Sequence, residues 1–163
     1  MSLLSKRREA LMVGVAAAVV ALDQLSKAGV MRYLAPYTPW NPIAPLRPIV
    51  TLTYVTNTGV AFGLFPQLGN LYVVVALVVI AGLIVFYRQY ALSQPLLRLC
   101  LGLQVGGALG NLIDRLRFGH VIDFIDFKVW PVFNVADSCI VIGVVILAFV
   151  LLREMPEEEP GRG

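Results

Sequence analysis

The sequence predicts an all-α membrane bundle of four transmembrane helices, with a small extracytoplasmic β-sheet between the first and second helices. Three observations support this fold class. The 163 residues are 58% hydrophobic and only 14% charged, whereas soluble domains usually carry about a quarter charged residues. Four stretches approach the roughly 20 apolar residues that a helix needs to cross a bilayer. A β-branched segment of alternating polarity lies between the first two stretches.

The predicted spans occupy most of the chain. They lie at about 10–31, 70–88, 95–113 and 135–153. We therefore expect a single integral membrane domain over 1–155, followed by a disordered acidic tail over 156–163. The first apolar run could be mistaken for a cleaved signal peptide, but it continues past Ala18 to Leu22, so we interpret it as a retained helix.

The link between the first two spans predicts a surface β-element over about 47–64. Prolines at 36, 39, 42, 45 and 48 prevent a regular helix. The β-branched run from Ile49 to Thr56 is typical of a strand, and Asn57 and Gly59 indicate a turn after it. Tyr37 and Trp40 are expected to anchor this region at the membrane interface.

The basic residues bear on orientation and on partners. The cluster Lys6-Arg7-Arg8 before the first span predicts a cytoplasmic N-terminus by the positive-inside rule. With four spans, both termini are then cytoplasmic. The formal charge of +3 comes from thirteen scattered Lys and Arg residues set against ten acidic residues, which argues against nucleic-acid binding and fits contact with anionic headgroups.

Small residues inside the spans indicate packing. Cys100 and Cys139 lie within predicted spans without Cys-x-x-Cys spacing, so we expect small buried residues rather than a disulfide or metal site. The spacing of Gly102, Gly106 and Gly110 on the third span allows a neighbouring helix to approach closely.

All five aspartates lie in or beside the spans, whereas all five glutamates lie near the chain ends. In a four-span topology, the end of span one, the end of span three and the start of span four share one membrane face. The polar residues that must converge there are Asp23, Lys27, Asn111, Asp114, Arg115, Asn134 and Asp137. A charge at the centre of a span costs about 2.5–3.5 kcal/mol, so these residues need a structural or functional role.

Two interpretations of these charges remain open. Asp23 with Lys27, and Asp114 with Arg115, could simply join the helices through buried ion pairs. Asp123 and Asp137 have no basic residue nearby at helical spacing, which favours a functional role for this pair.

Two neighbouring carboxyl groups share one proton, and this allows peptide hydrolysis by the aspartic-protease pattern. A zinc protease or a serine–histidine enzyme would depend on His120, the one histidine, which falls in a loop. Ser26 and Lys27 are adjacent on a helix and poorly aimed at each other. An ion-coupled transporter would distribute its carboxylates across the membrane and often contains repeated halves, and neither feature is present.

Four segments together resemble the lipoprotein signal peptidases (signal peptidase II) of bacteria. They are Asp23-Gln-Leu-Ser-Lys27, Asn57-Thr-Gly59-Val-Ala-Phe62, Gly110-Asn111-Leu-Ile-Asp114-Arg115 with its continuation to Asp123-Phe124, and Phe133-Asn134-Val-Ala-Asp137-Ser138. Any one motif is weak, but the ordered set is specific and covers nearly the whole chain.

The resemblance implies that Asp123 and Asp137 are the catalytic pair of a membrane aspartic endopeptidase. It also implies that Asp23 and Lys27 support a site lined by Asn57, Gly59, Asn111, Arg115 and Asn134. Asp114 joins the supporting group because of its place in the polar cluster.

The implied substrates are prolipoproteins that carry diacylglycerol on a cysteine, cleaved just before that cysteine. No metal or organic cofactor is implied. We expect a monomer in the bacterial cytoplasmic (inner) membrane, in contact with membrane lipid, with its active site towards the extracytoplasmic face.

Overall fold

The computed structural model describes residues 3–59, 69–90 and 94–154. The elements, in chain order, are α1 (Leu3–Tyr33), β1 (Val50–Asn57), α2 (Gly69–Tyr90), α3 (Pro95–Phe118), β2 (Val121–Phe127) and α4 (Val135–Glu154). The predicted tail at 156–163 and the end of the predicted β-element at 60–64 lie outside the described residues.

Three of the helices are long and apolar enough to cross a membrane, as judged over the described residues. Their spanning portions are Glu9–Tyr33, Pro95–Phe118 and Val135–Arg153. The apolar part of α2, Leu71–Phe86, is shorter. The membrane-helix character of the chain is therefore confirmed, whereas the count of four spans stays a prediction.

Local chemistry explains where α3 begins and ends. Pro95 occupies the first turn, where a missing N–H has no consequence. Gly119 ends the helix with a φ of 77° and donates its N–H to the carbonyl oxygen of Arg115 at 3.0 Å. That left-handed conformation favours glycine and turns the chain directly into β2.

The centre of the bundle is α3, which packs against the three other helices. A Cβ atom on Gly102 would lie 2.9 Å from the carbonyl oxygen of Met12, and one on Gly106 would lie 2.8 Å from that of Ala16. The predicted close approach along the glycine spacing is confirmed for these two residues, and it brings the backbones of α1 and α3 together.

The β-sheet consists of β1 and β2 in antiparallel pairing, and this corrects the sequence analysis. We placed the sheet between the first two helices and expected a loop around His120. The second strand in fact lies between α3 and α4. The register places Val55 opposite Asp123, with an irregularity between Leu52 and Val55.

The proline-rich stretch lies along the other edge of β1. Its one regular element is the short 3₁₀ turn Ala44–Leu46. Trp40 exchanges two backbone hydrogen bonds with Leu52, at 2.9 and 2.8 Å, and the N–H of Tyr37 donates to the carbonyl oxygen of Tyr54. These bonds hold the stretch against the sheet.

A buried apolar cluster lies beneath the sheet. Its buried members are Val30 of α1 and Ile122 and Phe124 of β2. Because the cluster joins the two elements, it fixes the sheet to the end of α1.

Candidate active site

A buried ammonium group lies at the centre of the polar cluster. Lys27 on α1 is 1% exposed, and its Nζ lies 2.8 Å from an oxygen of Asp23 and 2.8 Å from an oxygen of Asp114. It also donates to Oδ1 of Asn111 at 3.0 Å. An ammonium has three donors, and all three are used. The predicted pairing of Asp23 with Lys27 is confirmed, but Asp114 pairs with Lys27 rather than with Arg115.

Asp23 joins α1 to the beginning of α4. Its Oδ1 accepts the backbone N–H of Ala136 at 3.0 Å, one of the N–H groups that a helix N-terminus leaves without an internal partner. The carboxylate fits because residue 110 is glycine: a Cβ atom there would lie 2.6 Å from Oδ2 of Asp23. Asp23 therefore fixes the start of α4 relative to α1.

Asp114 performs the equivalent task for β2. Its Oδ2 accepts the backbone N–H of Ile122 at 3.1 Å, one residue before Asp123. Its Oδ1 accepts a hydrogen bond from Nε2 of Gln24 at 2.8 Å. The buried group around Lys27 therefore positions the strand that carries Asp123 and the helix that carries Asp137.

Asn134 and Asp137 form a reciprocal cap at the start of α4. Oδ1 of Asn134 accepts the backbone N–H of Asp137 at 2.9 Å, and Oδ2 of Asp137 accepts the backbone N–H of Asn134 at 3.2 Å. This is the geometry of a capping box. The other oxygen of Asp137 accepts a hydrogen bond from Nδ2 of Asn111 at 2.7 Å, which connects it through one amide to Lys27.

Asp123 lies on β2, 1% exposed, between two amide groups. Its Oδ1 accepts a hydrogen bond from Nδ2 of Asn134 at 2.7 Å, and its Oδ2 accepts one from Nδ2 of Asn57 at 2.7 Å. Burial raises the pKa of Asp123 to about 6, and the charge of Asp137 adds to this, whereas the hydrogen bonds from Asn57 and Asn134 oppose it. A carboxyl group with this pKa can carry a proton near neutral pH.

The end of β1 forms another wall of the site. Gly59 has a φ of 80° and donates its N–H to Oδ1 of Asn57 at 2.8 Å, which orients the amide that reaches Asp123. Gly59 also packs closely on Tyr72 of α2, since a Cβ atom there would lie 3.0 Å from the ring. The guanidinium of Arg115 lies 5.8 Å from the centre of the same ring and donates to the carbonyl oxygen of Asn111.

The structure thus connects all the site residues singled out from the sequence in one region. They are Asp23, Lys27, Asn57, Gly59, Asn111, Asp114, Arg115, Asp123, Asn134 and Asp137.

Asp126, on the same strand as Asp123, belongs to a separate group. Its carboxylate accepts hydrogen bonds from Thr51 at 3.0 Å, Thr53 at 2.8 Å and Lys128 at 2.5 Å. The ring centre of His120 lies 6.1 Å from that of Phe118.

Comparisons with known proteins agree with this arrangement. Residues 15–153 match the family model described as signal peptidase (SPase) II. The chain belongs to the signal peptidase II family. It is therefore an integral membrane peptidase.

Related proteins and structures cover most of the chain. The lipoprotein signal peptidase of Pelotomaculum thermopropionicum is 46% identical over 85% of this chain and 89% of its own length. That of Moorella thermoacetica is 46% identical over 88% of this chain and 93% of its own length. A bacterial membrane enzyme solved by the in meso method at 1.9 Å matches with a TM-score of 0.81 and 28% identity, covering 88% of this chain and 94% of that one.

Gln24 contributes to this signal peptidase II site and was not predicted from the sequence. Gln24 donates through Nε2 to Asp114 at 2.8 Å, and to Asp23 and the carbonyl oxygen of Gly110 at 3.2 Å each. The available signal was its place in the first motif, between Asp23 and Lys27. A polar uncharged residue near the end of a span also needs a partner, for the same reason as its charged neighbours.

Proposed function

We propose that this chain removes the signal peptide from diacylglyceryl-modified prolipoproteins, with Asp123 and Asp137 as the catalytic pair. The observation that carries the proposal is the position of Asn134, whose side-chain amide binds the carboxylate of Asp123 and the backbone N–H of Asp137. Lipoprotein signal peptidases at 46% identity support the substrate class. Cleavage falls just before the lipidated cysteine.

The hydrogen bonds around the pair suit acid–base chemistry. Each carboxyl oxygen of the pair accepts one fixed N–H donor, which leaves further lone pairs for a water molecule and a shared proton. One carboxylate takes a proton from water as the water oxygen bonds to the peptide carbonyl carbon. The protonated carboxyl group donates to the carbonyl oxygen, and the C–N bond then breaks as the departing nitrogen receives a proton.

The remaining site residues support this chemistry in two ways. Asn57, Asn111 and Asn134 orient the two carboxyl groups directly. The other supporting residues act through the backbone or through these amides, and they are Asp23, Lys27, Gly59, Asp114 and Arg115.

An apolar hollow beside Asp137 supports the proposal that the substrate carries a lipid. Its volume is about 290 Å³, and its lining residues are Trp130, Phe133, Asp137, Ser138, Val141 and Ile142. A hollow with these walls can hold apolar substrate groups next to the proposed catalytic pair. In the proposed substrate, the scissile bond lies next to the cysteine that carries the diacylglyceryl group, and therefore beside apolar acyl chains.

The topology that we propose has four spans in a single domain, with α2 as the second span. At 1.5 Å per residue, its 22 residues extend for about 33 Å, enough for a hydrocarbon core of about 30 Å. Both termini are then cytoplasmic, and the aspartate pair faces the extracytoplasmic side of the bacterial inner membrane. We propose a monomer as the oligomeric state.

Cysteine labelling in intact cells tests this topology. In a Cys100→Ala/Cys139→Ala background, we expect Val129→Cys, at a position 95% exposed beyond β2, to react with a membrane-impermeant maleimide. Arg153→Cys, at the end of α4, should react only after the cells are permeabilised. The reverse pattern would refute the orientation.

Cleavage of a diacylglyceryl-prolipoprotein by the purified protein tests the catalytic pair. Asp123→Asn and Asp137→Asn should each lower kcat by about 10³-fold or more, within the range for loss of acid–base catalysis. Asp126→Asn is the matched control, because Asp126 lies on the same strand but binds Thr51, Thr53 and Lys128. It should retain cleavage.

Thermal unfolding of each variant separates lost chemistry from lost folding. Folded Asp123→Asn or Asp137→Asn protein that cleaves at the wild-type rate would refute the assignment of the pair. A wild-type protein that cleaves the unlipidated precursor as fast as the lipidated one would refute the proposed substrate class.

A further inference from the structure

Two adjacent hollows on the sheet side of α1 share Trp40 as a common wall. The first, of about 350 Å³, is lined by Pro39, Trp40, Asn41, Arg47, Thr51 and Lys128. The second, of about 430 Å³, is lined by Gly29, Val30, Tyr33, Leu34, Trp40 and Leu52. The first hollow contains the two cations Arg47 and Lys128, whereas the surface of the second is mostly apolar.

We propose that these hollows together bind one anionic phospholipid, with its phosphate at Arg47 and Lys128 and an acyl chain along the end of α1. The described hydrogen bonds of Asp123 and Asp137 involve none of the residues that line the two hollows. The proposal therefore does not rest on the assignment of the catalytic pair.

The charge of the first hollow fits a phosphate diester. Lys128 is paired with Asp126 at 2.5 Å, so its charge is largely compensated. Arg47 donates through Nε to the carbonyl oxygen of Asn41 at 2.9 Å, and among the described residues no carboxylate forms an ion pair with it. One uncompensated positive charge remains, and it matches the single negative charge of a phosphate diester.

The second hollow suits an acyl chain because residue 29 is glycine. A Cβ atom on Gly29 would meet nothing within 4 Å, so the last turns of α1 carry an open groove. Tyr33 and Trp40, which are 77% and 49% exposed, border that groove. Aromatic residues of this kind are enriched where a membrane meets water.

The order of the two hollows favours a phospholipid over the lipid of the substrate. The groove lies on the end of a spanning helix, Glu9–Tyr33, and the cationic hollow lies beyond it, towards the sheet. A phospholipid in a bilayer has the same order, with its phosphate outside its acyl chains. The diacylglyceryl group of a prolipoprotein carries no phosphate and would leave Arg47 without a counterion.

Quenching of Trp40 fluorescence by lipids with brominated acyl chains tests this site. The full-length Trp130→Phe protein keeps Trp40 as its one tryptophan, and it is delipidated in a neutral detergent. Brominated phosphatidylglycerol should quench Trp40 saturably, at about tenfold lower concentration than brominated phosphatidylcholine, a ratio that corresponds to about 1.4 kcal/mol. Equal affinity for the two lipids would overturn the proposal.

Two variants test the two hollows separately. Arg47→Gln should remove the preference for phosphatidylglycerol, and Gly29→Leu should fill the groove and weaken the binding of both lipids. Arg117→Gln is the matched control, since this exposed cation at the end of α3 lines neither hollow.

Several outcomes would overturn the proposal. One is a preference that survives Arg47→Gln, and another is unchanged binding in Gly29→Leu. A third is a competition result in which sn-glycerol 3-phosphate displaces the brominated lipid as effectively as unlabelled phosphatidylglycerol does. That result would reveal a site for simple anions rather than for a phospholipid.

Discussion

The side-chain amide of Asn134 donates to Oδ1 of Asp123 at 2.7 Å, while its carbonyl oxygen accepts the first-turn N–H of Asp137. One residue thus caps α4 and connects it to β2. The two aspartates come from different elements, and this amide fixes their relative position.

Replacing Asn134 by serine should separate its two roles. Serine is a good N-cap, but its short side chain cannot reach Asp123, and Asn111 and Ile122 lose the same buried donor. We therefore expect the free energy of unfolding to fall by about 1–3 kcal/mol. We expect kcat to fall by about 10²-fold, the effect of a misplacement of about 1 Å. Asn134→Ala also removes the cap, so its free energy of unfolding should be about 1 kcal/mol lower than that of Asn134→Ser.

Those variants are compared by thermal unfolding and by cleavage of the same lipidated substrate. If Asn134→Ser cleaves at the wild-type rate, the bond to Asp123 has no part in positioning the pair.

The rate of cleavage should fall as the pH rises through the raised pKa of Asp123, about 6. Above it, Asp123 loses the proton that it would donate, so kcat/KM should decline about tenfold per pH unit. The apparent pKa of this decline belongs to the pair. Asn57→Ala removes a hydrogen bond that favours ionised Asp123, so the decline should move to higher pH.

The pH profiles of wild type and Asn57→Ala are measured on one substrate. They show whether kcat/KM declines with rising pH and whether the loss of this hydrogen bond moves the decline. A shift to lower pH in Asn57→Ala would contradict the role given to that hydrogen bond. Thr38→Ala is the matched control, because Thr38 is an exposed polar residue of the same surface region that hydrogen-bonds to Pro36.

The convergence of the polar residues could be predicted because it follows from helix order. Any chain with consecutive spans brings the ends of the first and third to the same face as the start of the fourth. Asp23, Asn111 and Asp137 therefore converge whichever way the protein is oriented. The partner of Asp114 could not be predicted this way, since Arg115 is adjacent in sequence but Lys27 is adjacent in space.

The second strand escaped prediction for a physical reason. A half-buried strand alternates between apolar and polar residues, but the first four residues of β2 are all buried, including Asp123. Hydrogen bonds from Asn57 and Asn134 compensate the buried carboxylate. The sequence thus lacks the alternation by which we recognised β1.

Replacing Gly110 by alanine should disturb Asp23 directly. The new Cβ atom would lie 2.6 Å from Oδ2 of Asp23, and that carboxylate cannot move freely because Lys27 and the N–H of Ala136 hold it. We expect the free energy of unfolding to fall by about 1–3 kcal/mol, as is typical of overpacking, and kcat to fall as well. Gly14→Ala is the control: its Cβ atom would meet nothing within 4 Å, so stability should stay equal or rise. Equal unfolding temperatures for Gly110→Ala and wild type would refute the close fit.

Replacing Lys27 by methionine should be strongly destabilising, because it leaves Asp23 and Asp114 buried without their cation. Breaking a buried ion pair costs about 3–5 kcal/mol. Lys128→Met is the matched control, since its pair with Asp126 is partly exposed and is worth about 1 kcal/mol or less. Denaturant unfolding of the two variants measures the difference, and equal losses would contradict the central role of Lys27.

The triple variant Asp23→Asn/Lys27→Met/Asp114→Asn distinguishes charge balance from positioning. Neutral amides can still accept the N–H groups of Ala136 and Ile122, so much of the lost stability should return. Oδ1 of Asn111 would nevertheless lose Lys27 and keep Asn134 as its one described donor, which weakens the orientation of its side chain towards Asp137, so kcat should stay low. Recovery of cleavage together with stability would mean that Lys27 acts only by neutralising its two aspartates.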